Sequence, residues 1–232
     1  MGNLNSPTDE GSGIRVAVST VIFALRPDAD GNMALWLPLV RRTRKPFKDR
    51  WALPGGWVGG AESLSEAAGR TLADTTGLYP TYLEQLYTFG QPNRSPHERV
   101  ISTVYFALVR SQTASEVAES NNVRWFCADP LPKLAFDHNE IVEYALWRLQ
   151  NKVEYAHVAF HFLGDTFSLS QLREVYEAIL QRRLDPANFR RHVEATGTIT
   201  PTSEHLTGGR HRPPRLYRCH LTPDDWAQGP AA

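Results

Sequence analysis

Cysteine is scarce. Cys127 and Cys219 are the only two in 232 residues, and neither has a neighbouring Cys to form a metal knuckle. A chain of this size needs no disulfide framework, so both read as reduced thiols in a cytoplasmic protein. No apolar run reaches about 18 residues, which excludes a membrane-spanning helix. With no signal peptide either, the expectation is a cytoplasmic protein without a membrane partner. Net charge is missing as well, since 25 Lys and Arg balance 25 Asp and Glu. A nucleic-acid surface would therefore have to come from local segregation of charge. No internal repeat is visible. What remains is an ordinary globular composition, 41% apolar and 22% charged, long enough for one large or two small domains.

The polar stretch of residues 1–13 reads as a disordered lead-in. From Arg15 to Leu25 the β-branched run V-A-V-S-T-V-I-F-A-L predicts a buried strand, and a turn rich in Asp, Gly and Asn separates it from a second, Ala34 to Val40. Leu83–Phe89, Val100–Val109 and Val123–Phe126 are further strand candidates. Helices are predicted over Leu64–Thr76 and about Asn139–Lys152. Strands interleaved with helices indicate a layered α/β domain over 14–152, followed by a second domain over 153–232.

Before the first helix stands W-A-L-P-G-G-W-V-G-G-A-E-S-L-S-E, residues 51–66. Glycines ahead of a helix let backbone approach a ligand, and the helix N-terminus favours phosphate. Ser63 and Glu66 form an S-x-x-E capping box. The spacing is more specific: Gly56, Glu62, Arg70, then Gly77-Leu78 resembles the Nudix box. Members of that family use Mg²⁺, held by glutamates on this helix, to hydrolyse nucleoside diphosphate derivatives. After the arginine the family pattern is R-E-U-x-E-E-x-G-U, with U aliphatic, whereas this chain reads R-T-L-A-D-T-T-G-L. Thr71 and Thr75 replace two helix carboxylates and Asp74 shortens the third. Threonine hydroxyls are neutral, and Mg²⁺ wants anionic oxygens. Glu62, Glu66 and Asp74 could hold one ion weakly, or Glu66, Arg70 and Asp74 could form an ion-pair ladder at i, i+4, i+8. The fold signature survives and the hydrolytic one does not, so no catalytic residue is assigned.

The stretch ending at Pro92 resembles Nudix enzymes acting on ADP-ribose, which carry a proline at a similar distance past the box. Candidate ligand-binding residues are therefore Arg41, Arg42, Trp51, Gly55, Gly56, Arg70, Pro92 and Arg99, with Arg44 and Arg94 as further diphosphate partners. Guanidinium groups bind phosphate oxygens bidentately, and an indole stacks on a base.

The C-terminal part follows different rules. Ser168 and Gln171 make a second capping box, and Leu172, Val175, Tyr176, Ile179 and Leu180 share one helical face. Asp185-Pro186 then opens another helix, which stops at Gly197. Extended segments at Ile199-Thr200 and R-L-Y-R-C flank a polar, arginine-rich loop. Two helices, a tight turn and a hairpin make a winged helix-turn-helix. Phe189 and Val193 would face its core, leaving Asn188, Arg190, Arg191 and His192 to read base edges. Arg210, Arg212 and Arg215 on the wing would hold backbone phosphates or the minor groove. Between Gln181 and His220 eight arginines face three acids, the local excess that phosphate binding needs.

A degenerate Nudix domain followed by N-F-R-R and a basic R-P-P-R-L-Y-R wing resembles the family of Nudix-related transcriptional regulators (NrtR), from about Arg15 to His220. The resemblance implies an α/β/α Nudix sandwich joined to a winged helix. It also implies a homodimeric repressor of NAD biosynthesis or salvage genes, acting on a pseudo-palindromic double-stranded operator. ADP-ribose or NAD is then the expected effector, and no cofactor is required. The competing reading is an active ADP-ribose pyrophosphatase with an accessory C-terminal domain.

Overall fold

In the computed structural model, residues 13–80, 82–110, 122–153, 157–206 and 213–220 are described. The sheet is built around β1 (Arg15–Pro27), whose β-branched run is buried on both sides. Its first half runs parallel to β6 (Val100–Leu108) and antiparallel to β4 (Gly55–Trp57), and its second half pairs antiparallel with β2 (Met33–Arg41). β2 also pairs with β3 (Trp51–Ala52) and β7 (Val123–Cys127), while β5 (Tyr82–Phe89) forms the edge beyond β6. A parallel central pair requires cover on both faces, which explains the near-continuous apolar sequences of β1 and β6.

Side-chain alternation sorts those residues between two layers. Val18, Ile22 and Ala24 of β1, with Tyr105 and Ala107 of β6, point to the side covered by α1 (Leu64–Thr76) through Ala67, Ala68 and Leu72. Val21, Phe23 and Leu25, with Val104, Phe106 and Leu108, point the other way, onto α2 (His138–Val153) through Ile141, Val142, Ala145 and Leu149. α1 begins at Ser63, whose hydroxyl accepts from the Glu66 N–H, and ends at Gly77 in the left-handed region, so both predicted ends hold.

Two strands occupy what reads in sequence as a glycine-rich loop. Neither β3 nor β4 is long enough to show alternation. A Cβ on Gly55 would lie 2.4 Å from the Val18 carbonyl oxygen, and one on Gly56 would lie 2.8 Å from the Thr71 methyl. These glycines let β4 lie against β1 and α1, beyond any role toward a ligand.

After α2 come a 3₁₀ turn (Val158–Phe162), β8 (Phe167–Ser168), α3 (Leu169–Leu180), α4 (Pro186–Ala195), β9 (Ile199–His205) and β10 (Arg215–Cys219). β8, β10 and β9 form a separate three-stranded sheet, which makes this a winged helix. The apolar face of α3 joins the core that the first sheet shares with α2. Leu172, Val175 and Ile179 cluster there with Leu35, Leu37 and Leu149. The position expected as a boundary, 152/153, falls inside α2, and α3 shares one core with the first sheet. The expected disordered lead-in, apart from Gly13, and Arg210 and Arg212 lie outside the described residues. No helix of the described residues is long and apolar enough to cross a membrane.

A shared core should unfold as one unit. Leu172→Ala, at a fully buried site, should cost about 3 kcal/mol. Urea melts followed by tryptophan fluorescence and by circular dichroism should shift together, in one coincident transition.

Candidate functional site

A cavity of about 520 Å³ opens where β1, β4, the end of β2, the β5–β6 loop and the start of α2 meet. Five cationic side chains line it, Arg15, Arg42, Arg44, Lys45 and Arg94, against one carboxylate, Glu98. Two of the five are already committed. Arg15 donates to Glu98 at 3.1 and 3.2 Å and lies 3.6 Å over the Trp57 ring. Arg94 grips Asp137 bidentately at 2.8 and 2.9 Å, with side chains only 5% and 13% exposed. Arg42 stacks on Phe136 at 4.6 Å and donates from Nε to the Pro46 carbonyl, and burial lowers its pKa. Among the described residues no carboxylate pairs with Arg42, Arg44 or Lys45. The cavity mouth therefore carries uncompensated positive charge suited to a diphosphate.

Backbone strain surrounds this mouth. Phe47, Asp49 and Phe136 all have left-handed backbone, φ +60°, +68° and +56°, and the rings of Phe47 and Phe136 meet edge to face at 5.0 Å. Non-glycine residues pay roughly 1–2 kcal/mol each for this, and such strain collects at ligand clamps. At the cavity floor His138 Nδ1 accepts the Leu53 N–H at 2.9 Å. Burial, opposed by Asp137 and aided by the Arg94 and Arg42 charges, pushes its pKa down to about 4. His138 is therefore a neutral imidazole whose acceptor nitrogen is used by the fold.

Of the ligand residues expected from sequence, the cavity brings together Arg42, Gly55 and Gly56, with Arg44 and Arg94. Arg41, Trp51, Arg70, Pro92 and Arg99 are not among its lining residues. Arg41 pairs with Asp49 at 3.3 Å, and Trp51 packs edge-on against Phe126 at 5.0 Å. Arg99 reaches only toward the Val100 carbonyl, at 3.5 Å. Lys45, His97, Phe136 and His138 line the cavity without having been expected. Alternation at the end of β2 separates Arg41 from Arg42: Val40 and Arg42 face the cavity, so Arg41 cannot.

The α1 carboxylates are turned to structural use. Arg70 holds Glu62 at 2.6 and 2.9 Å, and with the Gly59 N–H it lowers the Glu62 pKa to about 2. Glu66 accepts from the Ser63 backbone and hydroxyl, both at 2.8 Å, and Asp74 sits 3.9 Å from Arg70. Thr71 and Thr75 donate back to carbonyls of their own helix. Among the described residues no three His, Cys, Asp or Glu side chains form a group that could hold a metal. Arg70 stands among the would-be ligands, so this donor set does not fit Mg²⁺.

In the winged helix, Asp185 caps α4 by accepting the Asn188 N–H at 2.8 Å, and Pro186 fills its first turn. Phe189 and Val193 are buried, with Phe189 edge-on to Tyr176 at 5.2 Å. Asn188, Arg190, Arg191 and His192 are all exposed, as is Arg215 on β10. Arg191 donates to Asn188 Oδ1, and Arg190 to Glu194 at 3.0 Å.

A cationic cavity in a Nudix-type sandwich, with a winged helix sharing its core, defines a nucleotide-pocket protein that carries a DNA-binding module. The chain matches the NUDIX domain family over residues 15–145 and the NrtR DNA-binding winged helix domain family over residues 159–219. It belongs to the NrtR family of Nudix-containing transcriptional regulators. It is 32% identical over 197 residues to the ADPR responsive transcriptional repressor NtrR of Acinetobacter baylyi, covering 83% of this chain and 78% of that protein. The crystal structure of Shewanella oneidensis NrtR complexed with a 27mer DNA superposes with a TM-score of 0.78 at 32% identity, covering 91% of this chain and 95% of that one. The Nudix domain of the same protein complexed with ADP ribose gives 0.50 at 32% identity, covering 62% and 94%. An ADP-ribose pyrophosphatase of Methanocaldococcus jannaschii is 36% identical over 111 residues, 47% of this chain and 66% of that protein.

His138 predicts a pH dependence. Its pKa falls on folding from an ordinary 6.5 to about 4, so the unfolded chain binds its proton more tightly and stability drops as pH falls through that window. Between pH 7 and 5 this one group should remove about 2 kcal/mol. His138→Asn keeps an acceptor for Leu53 without titrating, and its urea-melt stability should fall by that much less over the same range. An equal fall in both proteins would refute the assignment.

Proposed function

We propose that the protein is a DNA-binding transcriptional repressor whose Nudix pocket senses ADP-ribose or a closely related nucleotide, with genes of NAD biosynthesis or salvage as its targets. The observation that carries this reading is the division of charge within the Nudix domain. The cavity keeps the cations that a diphosphate needs, while the α1 carboxylates are absorbed by Arg70 and the helix cap. Such a site binds without hydrolysing. Asn188, Arg190, Arg191 and His192 then enter the major groove, and Arg215, with Arg210 and Arg212, holds the backbone or minor groove. Two copies on a pseudo-palindrome would place two α4 helices in successive major grooves. Support for the nucleotide comes from the relatives, one named as ADPR responsive and one crystallised with ADP ribose.

The test is fluorescence anisotropy on duplexes enriched from the protein's own genome, titrated with ADP-ribose and then NAD. Arg190→Ala with Arg191→Ala should abolish operator binding and leave the melting temperature within a few degrees of wild type. Unchanged affinity would remove α4 from the interface. The identity to an ADP-ribose pyrophosphatase favours one alternative, an active hydrolase. Steady Mg²⁺-dependent release of AMP from ADP-ribose would establish it.

A further inference from the structure

A second cavity, about 630 Å³, lies between α3, α4 and the start of β10. Arginines from three elements line it: Arg173 from α3, Arg190 from α4 and Arg215 from β10. No carboxylate is among its lining residues. Pro186, Phe189 and Tyr217 supply an apolar floor; Arg190 is paired with Glu194 at 3.0 Å, outside the lining, and the charged groups of the cavity itself are all positive.

Arg173 is the notable member, because nothing in its sequence position separates it from a solvated helix charge. Its nearest carboxylate oxygen is on Glu177, 3.7 Å from Nε and beyond hydrogen-bond length. Glu177 is meanwhile engaged by the Leu184 N–H at 2.8 Å and by Arg183 at 3.2 Å. The Arg173 Nε is buried and makes no hydrogen bond. Nε is thus left with an ion-pair partner and no hydrogen bond, while the guanidinium, on a side chain 25% exposed, lines the cavity, where its N–H groups suit an anionic oxygen.

Geometry says which anion this is. A recognition helix in the major groove and a wing at the minor groove are separated on DNA by one phosphodiester strand. Here α4 and β10 are separated by this cavity. We infer that Arg173, with Arg215 opposite it, seats the backbone phosphate of the strand that divides the groove read by α4 from the groove met by the wing. Arg173 is thus a positioning contact that fixes register without reading sequence. The inference rests on the DNA-binding reading above.

Salt dependence separates this role from base reading. Anisotropy would be measured over an NaCl series on a genome-enriched duplex and on a mixed-sequence duplex. For Arg173→Gln the slope of log K against log salt should shrink by about 0.9, and affinity at about 0.15 M salt should fall roughly five-fold on both duplexes. Their affinity ratio should stay unchanged, and Arg173→Lys should recover most of the slope. A wild-type slope in Arg173→Gln, or a loss confined to the enriched duplex, would overturn the inference. Should that variant fail to fold by circular dichroism, the wild-type protein decides. A single neutral methylphosphonate stepped along the strand must, at one position between the grooves, remove the same slope; no such position would overturn it. Wild-type protein that binds neither duplex would remove the DNA reading itself, whereas normal wild-type binding with an unaltered Arg173→Gln removes only this assignment.

Discussion

The apolar face of α3 cannot be left in water, and the surface that covers it belongs to the Nudix layer. Leu172, Val175 and Ile179 are buried in one cluster with residues of β2 and α2, each worth roughly 1.5–3 kcal/mol when removed from solvent. A helix of this length is marginal alone, so the winged helix takes its footing from the sheet. Polar contacts across the same junction, Arg183 to Asn32 at 3.0 Å and Arg110 to Asp165 at 2.8 Å, are exposed. Surface pairs of that kind contribute at most about 1 kcal/mol. Apolar packing therefore fixes where α4 points relative to the cavity, and the charges only trim it.

That rigidity gives meaning to the altered charge on α1. In a hydrolase the outer face of this helix must stay anionic and unpaired to attract cations. Here Arg70 lies between Glu62 and Asp74, and the Thr71 methyl packs where a carboxylate would have to reach past β4. Glu62 is held by Arg70 and the Gly59 N–H together. Free cations survive on the other side of the sheet edge, at Arg42, Arg44 and Lys45. The domain thus combines a cationic cavity with α1 carboxylates that are held in an ion pair and a helix cap.

Local signals carried the elements well. Capping boxes at Ser63 and Ser168, the Asp185-Pro186 start and Gly77 placed three helices almost to the residue, because each is a short-range hydrogen-bond pattern written in adjacent positions. β1 and β6 were legible from their β-branched runs and β2 from its apolar one. β3, β4 and the 3₁₀ turn were not, being too short for any period to show. The cavity was legible only in part for a different reason. It gathers Arg15, the loop after β2, the β5–β6 loop and the start of α2, segments brought together by the sheet and not by spacing. His138 illustrates this: nothing adjacent marks it, and its role follows from the Leu53 amide 85 positions away. Trp51 shows the converse, an aromatic whose neighbourhood suggested a base and whose partner is Phe126.

Coupling between the two sites must obey the same packing. α2 starts at the cavity, where Arg94 fixes Asp137 and His138 caps the floor, and its far end lies against α3 and the 3₁₀ turn in the shared core. A nucleotide can alter DNA affinity only if it binds two arrangements of this assembly unequally, by the 1–3 kcal/mol or so typical of such linkage. A close-packed core does not bend smoothly by that amount; it changes by small shifts between discrete packings. The strained turn at Phe136 sits at the joint between the cavity and α2, where a modest backbone change could be exchanged for ligand contacts. Because α3 is seated on the same core, α2 and the winged helix are joined through buried side chains.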